Sequence, residues 1–313
     1  MFQLYKKRNF NALINDTFIF FRAMGKNFFG NYLKITGGFL VILLLLTYLI
    51  GKVFFENIFL STNSVEQQNM LSKYFDDNLV YFITIGSICA LLMMLITAIT
   101  YAFPVVYFNI IKDNKNITPT TKELVKGLKG SVWKIIKFIF WSLIIFTPII
   151  AILGSICVLL MMILVGIPLA VIVFAFISCW ASLAFYDYLS NDVSFFKALA
   201  NGWKLVFVNF WPNVGTTVIF WVMVYIVHSI VSIIFYIISG LFTLMDIDPT
   251  NHADTMSSFG ILILIVFIIS TALSYLLSNI IVVNQGIIYY SSKEEIENNS
   301  LRSDIDLIGE NIE

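Results

Sequence analysis

Four polar side chains that lie within long apolar stretches, or at their ends, are the candidates for chemistry in this sequence. One is His228, which has Tyr225 and Ser232 on the same helical face. An intramembrane histidine can relay protons when a carboxylate is nearby, but no carboxylate lies at the depth expected for His228. A neutral imidazole that bonds to a neighbouring helix is therefore the favoured interpretation. The other three candidates are Asp187, Asn284 and Gln285.

Asp187 and the pair Asn284 and Gln285 stand near the ends of two apolar stretches. They could converge on a polar pocket at the inner membrane surface, which would suit the transport of an amphiphile. Alternatively, each could extend from the end of its helix to the lipid headgroups, where polar side chains are easily accommodated. The sequence leaves both interpretations open.

Recognised catalytic motifs are missing from this sequence. It contains no HExxH, no GxSxG, no Walker loop and no GxGxxG before a helix. It has two histidines, and its three cysteines show no metal-ligand spacing, so neither a multi-histidine metal site nor a disulfide framework is expected. We therefore predict no enzymatic activity, no cofactor and no metal site.

The elements that must position the polar residues are membrane-spanning helices. Hydrophobic residues make up 59% of the 313 residues, charged residues 12%, and the mean hydropathy is +0.89. Soluble chains carry about a quarter charged residues, and ~20 apolar residues suffice to cross a bilayer. Six crossings are predicted, at about residues 35–60, 79–111, 134–164, 167–189, 214–244 and 259–290.

The turn between the third and fourth crossings has two candidates. Gly166-Ile167-Pro168 is the favoured turn, and Gly154-Ser155 is the alternative. Pro104 in the second crossing could kink that helix, and Pro148 in the third could break it.

Three amphipathic helices are predicted along the cytoplasmic membrane surface, at about residues 10–26, 121–134 and 196–211. The third, FKALANGWKLVFVNFW, sets an aromatic stripe against Lys197, Asn201 and Lys204. Its F-x-A-L-x-N pattern recurs from Phe10 to Asn15. The residues expected at the membrane interface are Phe10, Leu13, Phe21, Leu124, Trp203, Phe207, Phe210 and Trp211.

Capping residues predict two of the helix starts. Asn9 is a suitable N-cap for the first helix, and Thr120 to Glu123 fits the capping-box pattern. The second, fourth and sixth crossings also end alike, in the sequences Tyr107-Phe108-Asn109, Phe185-Tyr186-Asp187-Tyr188 and Tyr289-Tyr290. Together with the surface helices, these ends suggest three parallel repeats of a helical hairpin. The alternative is that any amphipathic helix before a membrane span looks much like another.

Basic residues predict the orientation in the membrane. The N-terminal segment, residues 112–134, residues 190–212 and the tail hold nearly all lysines and arginines, whereas the intervening loops hold only Lys73. By the positive-inside rule, both termini are expected in the cytoplasm. Residues 1–291 would form a single transmembrane domain, and the polar, acidic residues 292–313 a disordered tail.

The pattern resembles a group of bacterial six-helix inner-membrane proteins. The group includes the YciC-like proteins and the membrane domain that precedes some glycerophosphodiester phosphodiesterases. The resemblance rests on FNALINDTFIFFRAMGKNF, FYDYLSND and FKALANGWKLVFVNFW, and it covers most of residues 5–292. It implies a fold and a bacterial inner-membrane location but no catalysis, because the phosphodiesterase activity belongs to a separate soluble domain.

The favoured function is a non-enzymatic one: a scaffold or accessory subunit of a membrane complex, or lipid handling at the cytoplasmic leaflet. The alternative is a transporter or flippase for a hydrophobic or amphiphilic molecule that uses Asp187, His228 or Asn284. The expected partners are membrane lipids and other membrane proteins. Nucleic acid is not expected, because the basic segment 112–134 lacks aromatic platforms on a soluble fold.

Overall fold

A computed structural model describes residues 2–60, 73, 76–113, 118–161, 166–245 and 252–298. Within these residues the chain is helical and contains no β-strand, as predicted. The helices are α1 (Phe10–Leu60), α2 (Leu79–Asp113), α3 (Thr121–Met161), α4 (Gly166–Ser190), α5 (Phe195–Val208), α6 (Phe210–Met245) and α7 (His252–Glu297).

Six of these helices are long and apolar enough to cross a membrane, which agrees with the predicted number of crossings. The qualifying segments are Phe10–Lys52, Leu79–Lys112, Thr121–Leu160, Gly166–Ser190, Phe210–Ile234 and Gly260–Glu297. The exception, α5, has 14 residues and a length of ~21 Å, which is less than the ~30 Å of the hydrocarbon core. The helices are those of a multi-pass membrane protein.

Two of the three predicted surface segments are the first turns of long helices. The segment at 10–26 is continuous with the first crossing in α1, and the segment at 121–134 is continuous with the third crossing in α3. No proline interrupts either junction, so extending the helix costs little. Only α5 is a separate helix.

The separation of α5 from α6 has a local cause. Pro212, in the first turn of α6, has no N–H to donate to Val208, and its ring crowds that carbonyl, which favours a break between the two helices. Asn209 between them has a non-helical backbone, with φ −140° and ψ 69°. The side-chain amide of Asn213 donates to the carbonyl oxygens of Leu205 (3.3 Å) and Val206 (3.2 Å), which satisfies the free end of α5.

Both predicted helix starts are confirmed. Asn9 Oδ1 accepts a hydrogen bond from the Ala12 N–H at 2.9 Å. The Glu123 carboxylate accepts from the backbone N–H and the hydroxyl of Thr120, each at 2.8 Å. These bonds satisfy donors that would otherwise be unpaired at the helix starts.

The alternative turn at Gly154 and Ser155 is wrong, because both residues lie inside α3. The Ser155 hydroxyl donates to the Ala151 carbonyl at 2.7 Å, which lets a polar residue remain in the helix. The favoured turn is also displaced, because Gly166, Ile167 and Pro168 are the first residues of α4; α3 ends at Met161, and residues 162–165 lie outside the described residues. Pro104 and Pro148 likewise lie inside helices that continue past them.

The helices belong to two compact units. The first unit comprises Met1–Ile35, Ile99–Val222 and Ser278–Glu313, and the second comprises Thr36–Ala98 and Met223–Leu277. The second unit has an aliphatic core of Leu40, Leu43, Cys89 and Ile96, against which Tyr275 packs. Cys89, Cys157 and Cys179 are buried and free, as expected of small apolar residues.

The first unit has an aromatic core instead. Phe28 packs edge-on against Phe103 with 4.9 Å between ring centroids, and Phe20 lies 5.1 Å from Phe108. An edge-to-face pair such as Phe28 and Phe103 adds ~1 kcal/mol to the stabilisation from burial alone. The fully buried rings of this core are Phe20, Phe28, Tyr32, Phe103, Tyr107, Phe108, Tyr186, Phe220, Tyr289 and Tyr290.

The N-terminal segment folds back on the end of α7. The buried Arg8 side chain forms a salt bridge with Asp16 at 2.8 Å and donates to the Leu4 carbonyl at 2.8 Å. Burial lowers the pKa of Arg8, and the Asp16 carboxylate opposes that shift. The Arg8 backbone N–H donates to the Ser291 hydroxyl at 3.0 Å.

These contacts order the start of the predicted tail. α7 continues to Glu297, and Ser291, Ser292 and Glu294 are buried. The disordered tail predicted from residue 292 is therefore helical at its start. Residues 299–313 of that tail lie outside the described residues.

Candidate functional site

The Asp187 carboxylate is the most highly hydrogen-bonded of the candidate groups. Asp187 lies near the end of α4 and is 3% exposed. Its Oδ1 accepts from the Asn191 amide at 2.7 Å and from the Tyr289 hydroxyl at 3.1 Å, and its Oδ2 accepts from the Asn201 amide at 2.8 Å. Hydrogen bonds to an ionised carboxylate are about twice as strong as those between neutral groups.

These three donors come from three parts of the first unit. Asn191 follows α4, Asn201 belongs to α5, and Tyr289 belongs to α7. The Asn191 amide also donates to the Tyr289 hydroxyl at 3.1 Å, which closes a small network. The Asp187 carboxylate thus holds α5 and α7 against the end of α4, and its oxygens are already occupied by protein donors.

Asn284 and Gln285 are fully buried on α7. The Asn284 amide donates to the Thr17 hydroxyl of α1 at 3.0 Å, and the Gln285 amide donates to the Thr217 hydroxyl of α6 at 2.8 Å. Neither side chain reaches a membrane surface, because protein encloses both. Within the described residues, their carbonyl oxygens Oδ1 and Oε1 have no hydrogen-bond partner.

His228 is held by its neighbouring helix, as the favoured interpretation of the sequence proposed. Its Nε2 lies 3.3 Å from the hydroxyl of Ser274 on α7, and the contact is partly buried. His228 belongs to the second unit, whereas Asp187, Asn284 and Gln285 belong to the first. The four polar candidates therefore serve separate contacts between helices.

Two glycines that the sequence patterns did not single out let helices approach closely. A β-carbon on Gly202 of α5 would lie 2.8 Å from the backbone nitrogen of Ala184 in α4. A β-carbon on Gly127 of α3 would lie 2.6 Å from Cγ1 of Val106 in α2. Small residues at helix contacts are the usual signal of close packing in membranes, but a lone glycine on one helix does not identify its neighbour.

One side of α5 carries an aromatic ridge, which consists of Phe196, Trp203 and Phe207 together with Trp211 of α6. Trp203 is 44% exposed, Phe207 49% and Trp211 68%. The Trp203 and Phe207 rings contact each other with 4.9 Å between centroids. The other side of α5 is buried through Ala198, Leu199, Gly202, Leu205 and Val206.

The buried side of α5 differs from the expected one. The sequence pattern placed Leu199 and Val206 on the aromatic side and polar residues opposite. In the structure, Leu199 and Val206 face protein, whereas Lys197 and Lys204 are exposed beside the ridge. The helix has a protein-facing side in addition to its aromatic and basic ones, because it packs closely on α4.

The remaining predicted interface residues divide into two groups. Phe10, Phe21 and Phe210 are partly exposed. Leu13 and Leu124 are fully buried by surrounding protein, which corrects the expectation that they meet lipid. Each occupies the side of its helix that packs on a neighbour, and apolar residues suit that contact as well as they suit lipid.

Among the described residues, no group of three or more His, Cys, Asp or Glu side chains is arranged to hold a metal ion. Comparisons with protein-family models, with curated proteins and with solved structures give no match to this chain. The resemblance to six-helix bacterial inner-membrane proteins therefore stays a prediction.

Proposed function

We propose that this protein is a non-enzymatic scaffold or accessory component of the bacterial inner membrane that anchors itself in the headgroup layer of the cytoplasmic leaflet. Its partners are membrane lipids and other membrane proteins. The observation that carries the proposal is the aromatic ridge, which leaves large rings exposed on a helix too short to cross the bilayer. Trp is enriched at membrane–water interfaces, and both Trp and Phe occur on the apolar face of helices that lie in the interface.

The helix α5, which carries most of the ridge, is packed against and hydrogen-bonded to the rest of the first unit. Gly202 brings α5 against the backbone of α4, and Asn201 bonds to Asp187. The Trp180 indole N–H donates to the Leu199 carbonyl at 2.8 Å. Because α5 is fixed to α4 by these contacts, lipid that binds the ridge also fixes the position of the spanning helices in the membrane, as a scaffold requires.

The charges around α5 also support a position of this helix at the cytoplasmic leaflet. Lys197 and Lys204 are exposed next to the ridge, where ammonium groups can reach anionic headgroups. By the positive-inside rule, the basic segments of the chain favour a cytoplasmic position for this side and for both termini.

We further propose that the chain contains three copies of a helical hairpin. The ends of α2, α4 and α7 meet in the first unit, where Phe108 lies 6.2 Å from Tyr186 and 5.9 Å from Tyr290 between ring centroids. Each surface segment packs on one of these ends: Gly127 on Val106 of α2, and Gly202 on Ala184 of α4. The first segment packs on α7 through Thr17 and Asn284. The repeated arrangement of contacts supports the repeat.

Transport through the polar candidates has less support. A substrate path needs polar groups that can exchange protein partners for the substrate. Asp187, His228 and Asn284 each already bond to a side chain of another helix. These bonds favour a structural role for all three residues over a transport pathway.

Nitroxide labels on the ridge test the proposal. We would label Phe196→Cys and Trp211→Cys separately in vesicles and compare collisions with oxygen and with a water-soluble nickel chelate by electron paramagnetic resonance. Labels in the headgroup layer should meet both reagents at intermediate rates. The native cysteines are buried, so they should react little with the nitroxide reagent and contribute little background signal.

Two reference labels calibrate the depth. Asp192→Cys, on the highly exposed Asp192, should behave as a label in water, and Phe140→Cys, in the apolar part of α3, as a label among acyl chains. Ridge labels as accessible to nickel as the Asp192 label would overturn the proposal. Labels shielded from both reagents would also overturn it, because protein would then cover the ridge.

A further inference from the structure

One exposed line of side chains on α3 changes from basic to aromatic to aliphatic along the helix. Its first part, the lysine stripe, consists of Lys122, Lys126 and Lys129. These lysines share one helical face, and with Thr121 and Val125 they line a shallow groove. The stripe and groove belong to the first unit.

The lysine stripe has no internal counter-charge. Among the described residues, no carboxylate forms an ion pair with any of its three lysines, whereas Lys134 on the same helix pairs with Asp192 at 2.6 Å. The nearest acid on α3, Glu123, is used in the helix cap with Thr120. Like charges at this spacing repel one another, so the stripe favours an external anion.

The same face continues into rings and aliphatic side chains. Trp133 is 65% exposed and Phe140 is 58% exposed, and Ile144 follows them on the same line. At ~100° and ~1.5 Å per residue, all three lie within about 40° of the line through the stripe, with Trp133 ~6 Å beyond Lys129. The Lys137 ammonium lies 5.4 Å from the centre of the Trp133 ring.

This order of side chains matches the order of groups in a phospholipid. A free anion would use only the lysines, and lysines that merely orient the chain would need no groove and no exposed apolar continuation. An anionic phospholipid uses the whole line, with its phosphate among the ammonium groups, its glycerol near the indole and an acyl chain along Phe140 and Ile144.

We propose that the lysine stripe with Trp133 and Phe140 is a binding site for one anionic phospholipid. The site lies on α3 and is separate from the aromatic ridge on α5. The lipid-site proposal and the proposed function can therefore be disproved independently. The negative phosphate of a lipid bound here reduces the repulsion among the three lysines, and its apolar part covers rings that α3 leaves exposed.

The test measures the binding of dioleoylphosphatidylglycerol to the full-length protein in neutral detergent micelles by native mass spectrometry. Dioleoylphosphatidylcholine and inorganic phosphate are the comparison ligands. A variant with Lys122→Gln, Lys126→Gln and Lys129→Gln should bind phosphatidylglycerol at least tenfold more weakly, since each lysine near a charged headgroup contributes about fivefold. The control Lys26→Gln, Lys34→Gln, Lys73→Gln removes the same charge from exposed lysines outside both the lysine stripe and the aromatic ridge, and it should change binding less than twofold.

A second variant tests the apolar half of the site. Trp133→Ala with Phe140→Ala should weaken phosphatidylglycerol binding about tenfold while leaving weak phosphate binding unchanged. The proposal is overturned if the stripe variant and the lysine control lose the same affinity for phosphatidylglycerol, because binding would then depend only on the total charge of the protein. It is also overturned if phosphate competes fully and the apolar variant binds normally, because the site would then take a free anion.

Discussion

Gly202 of α5 lies directly against Ala184 of α4. A β-carbon at position 202 would stand 2.8 Å from the Ala184 nitrogen and 2.9 Å from its Cα, and backbone atoms inside a helix cannot move aside as a flexible side chain can. The contact therefore fixes the distance between α5 and α4.

Gly202→Ala should destabilise the protein by about 2 kcal/mol, because the added methyl group must push the two helices apart. Thermal unfolding in detergent, followed by circular dichroism, measures the effect. Gly130→Ala is the matched control: nothing lies near that exposed α3 glycine, so alanine should be neutral or stabilise by ~0.5 kcal/mol. Equal unfolding temperatures for the two variants would show that α5 does not pack on α4 as described.

Asp187→Asn should destabilise by about 2–3 kcal/mol, because the new amide group must face a donor from Asn191, Asn201 or Tyr289. Tyr289→Phe removes only one donor and should cost about 1 kcal/mol. Chemical unfolding in mixed micelles distinguishes the two. If Asp187→Asn unfolded at the wild-type midpoint, the carboxylate would not be holding the helices together.

Polar replacement of three ridge residues should release α5 from the headgroup layer without unfolding the protein. In the variant Trp203→Ser, Phe207→Ser, Trp211→Ser, a nitroxide label at position 196 should become markedly more accessible to the nickel chelate. The control Trp203→Phe, Phe207→Trp, Trp211→Phe keeps the aromatic character and should keep the wild-type accessibility. The same accessibility in both variants would mean that the rings do not hold the helix at the membrane.

The ion pair between Lys134 and Asp192 should give a pH-dependent contribution to stability. The ammonium group at 2.6 Å holds the pKa of the exposed Asp192 carboxyl below its ordinary value of 3.8. A carboxyl with a lowered folded-state pKa stabilises the fold above its unfolded pKa, and it loses that effect as the pH falls through the folded value. The melting temperature of Asp192→Asn should therefore be slightly lower than that of the wild type at pH 7 in low salt.

Below both pKa values of Asp192 the two proteins should unfold alike, because the carboxyl is then neutral in the folded and the unfolded state. Melting temperatures across this range in low salt check the prediction, and 1 M salt should reduce the difference at pH 7. A difference that grows towards acid pH would contradict this account of the pair.

The crossings and two helix starts were predictable, because they depend on local signals. Hydropathy identifies long apolar helices whatever they pack against, and Asn9 and Thr120 bond within a few residues of their own positions. The separate helix α5 was predictable in part. The pattern from Phe196 identified it, but the same pattern from Phe10 did not give a separate helix, because α1 continues without a break.

The polar contacts were not predictable, because they join distant parts of the chain. Tyr289 and Asp187 are 102 positions apart, and helical periodicity says nothing about which helix a side chain will meet. The burial of Leu13 and Leu124 could not be predicted from the sequence for another reason. A lipid-facing surface and a helix contact inside a membrane both select apolar side chains, so composition does not separate them.

The bonds between the N-terminal region and α7 also constrain the order of synthesis and assembly. Arg8 bonds to Ser291 across 283 positions, and Thr17 bonds to Asn284 across 267. A ribosome must therefore make nearly the whole described chain before α1 can receive these partners, and until then its buried polar groups need a substitute. α1 is made before the other described helices but receives its α7 contacts late, and an insertase or chaperone that shields it meanwhile would limit misassembly.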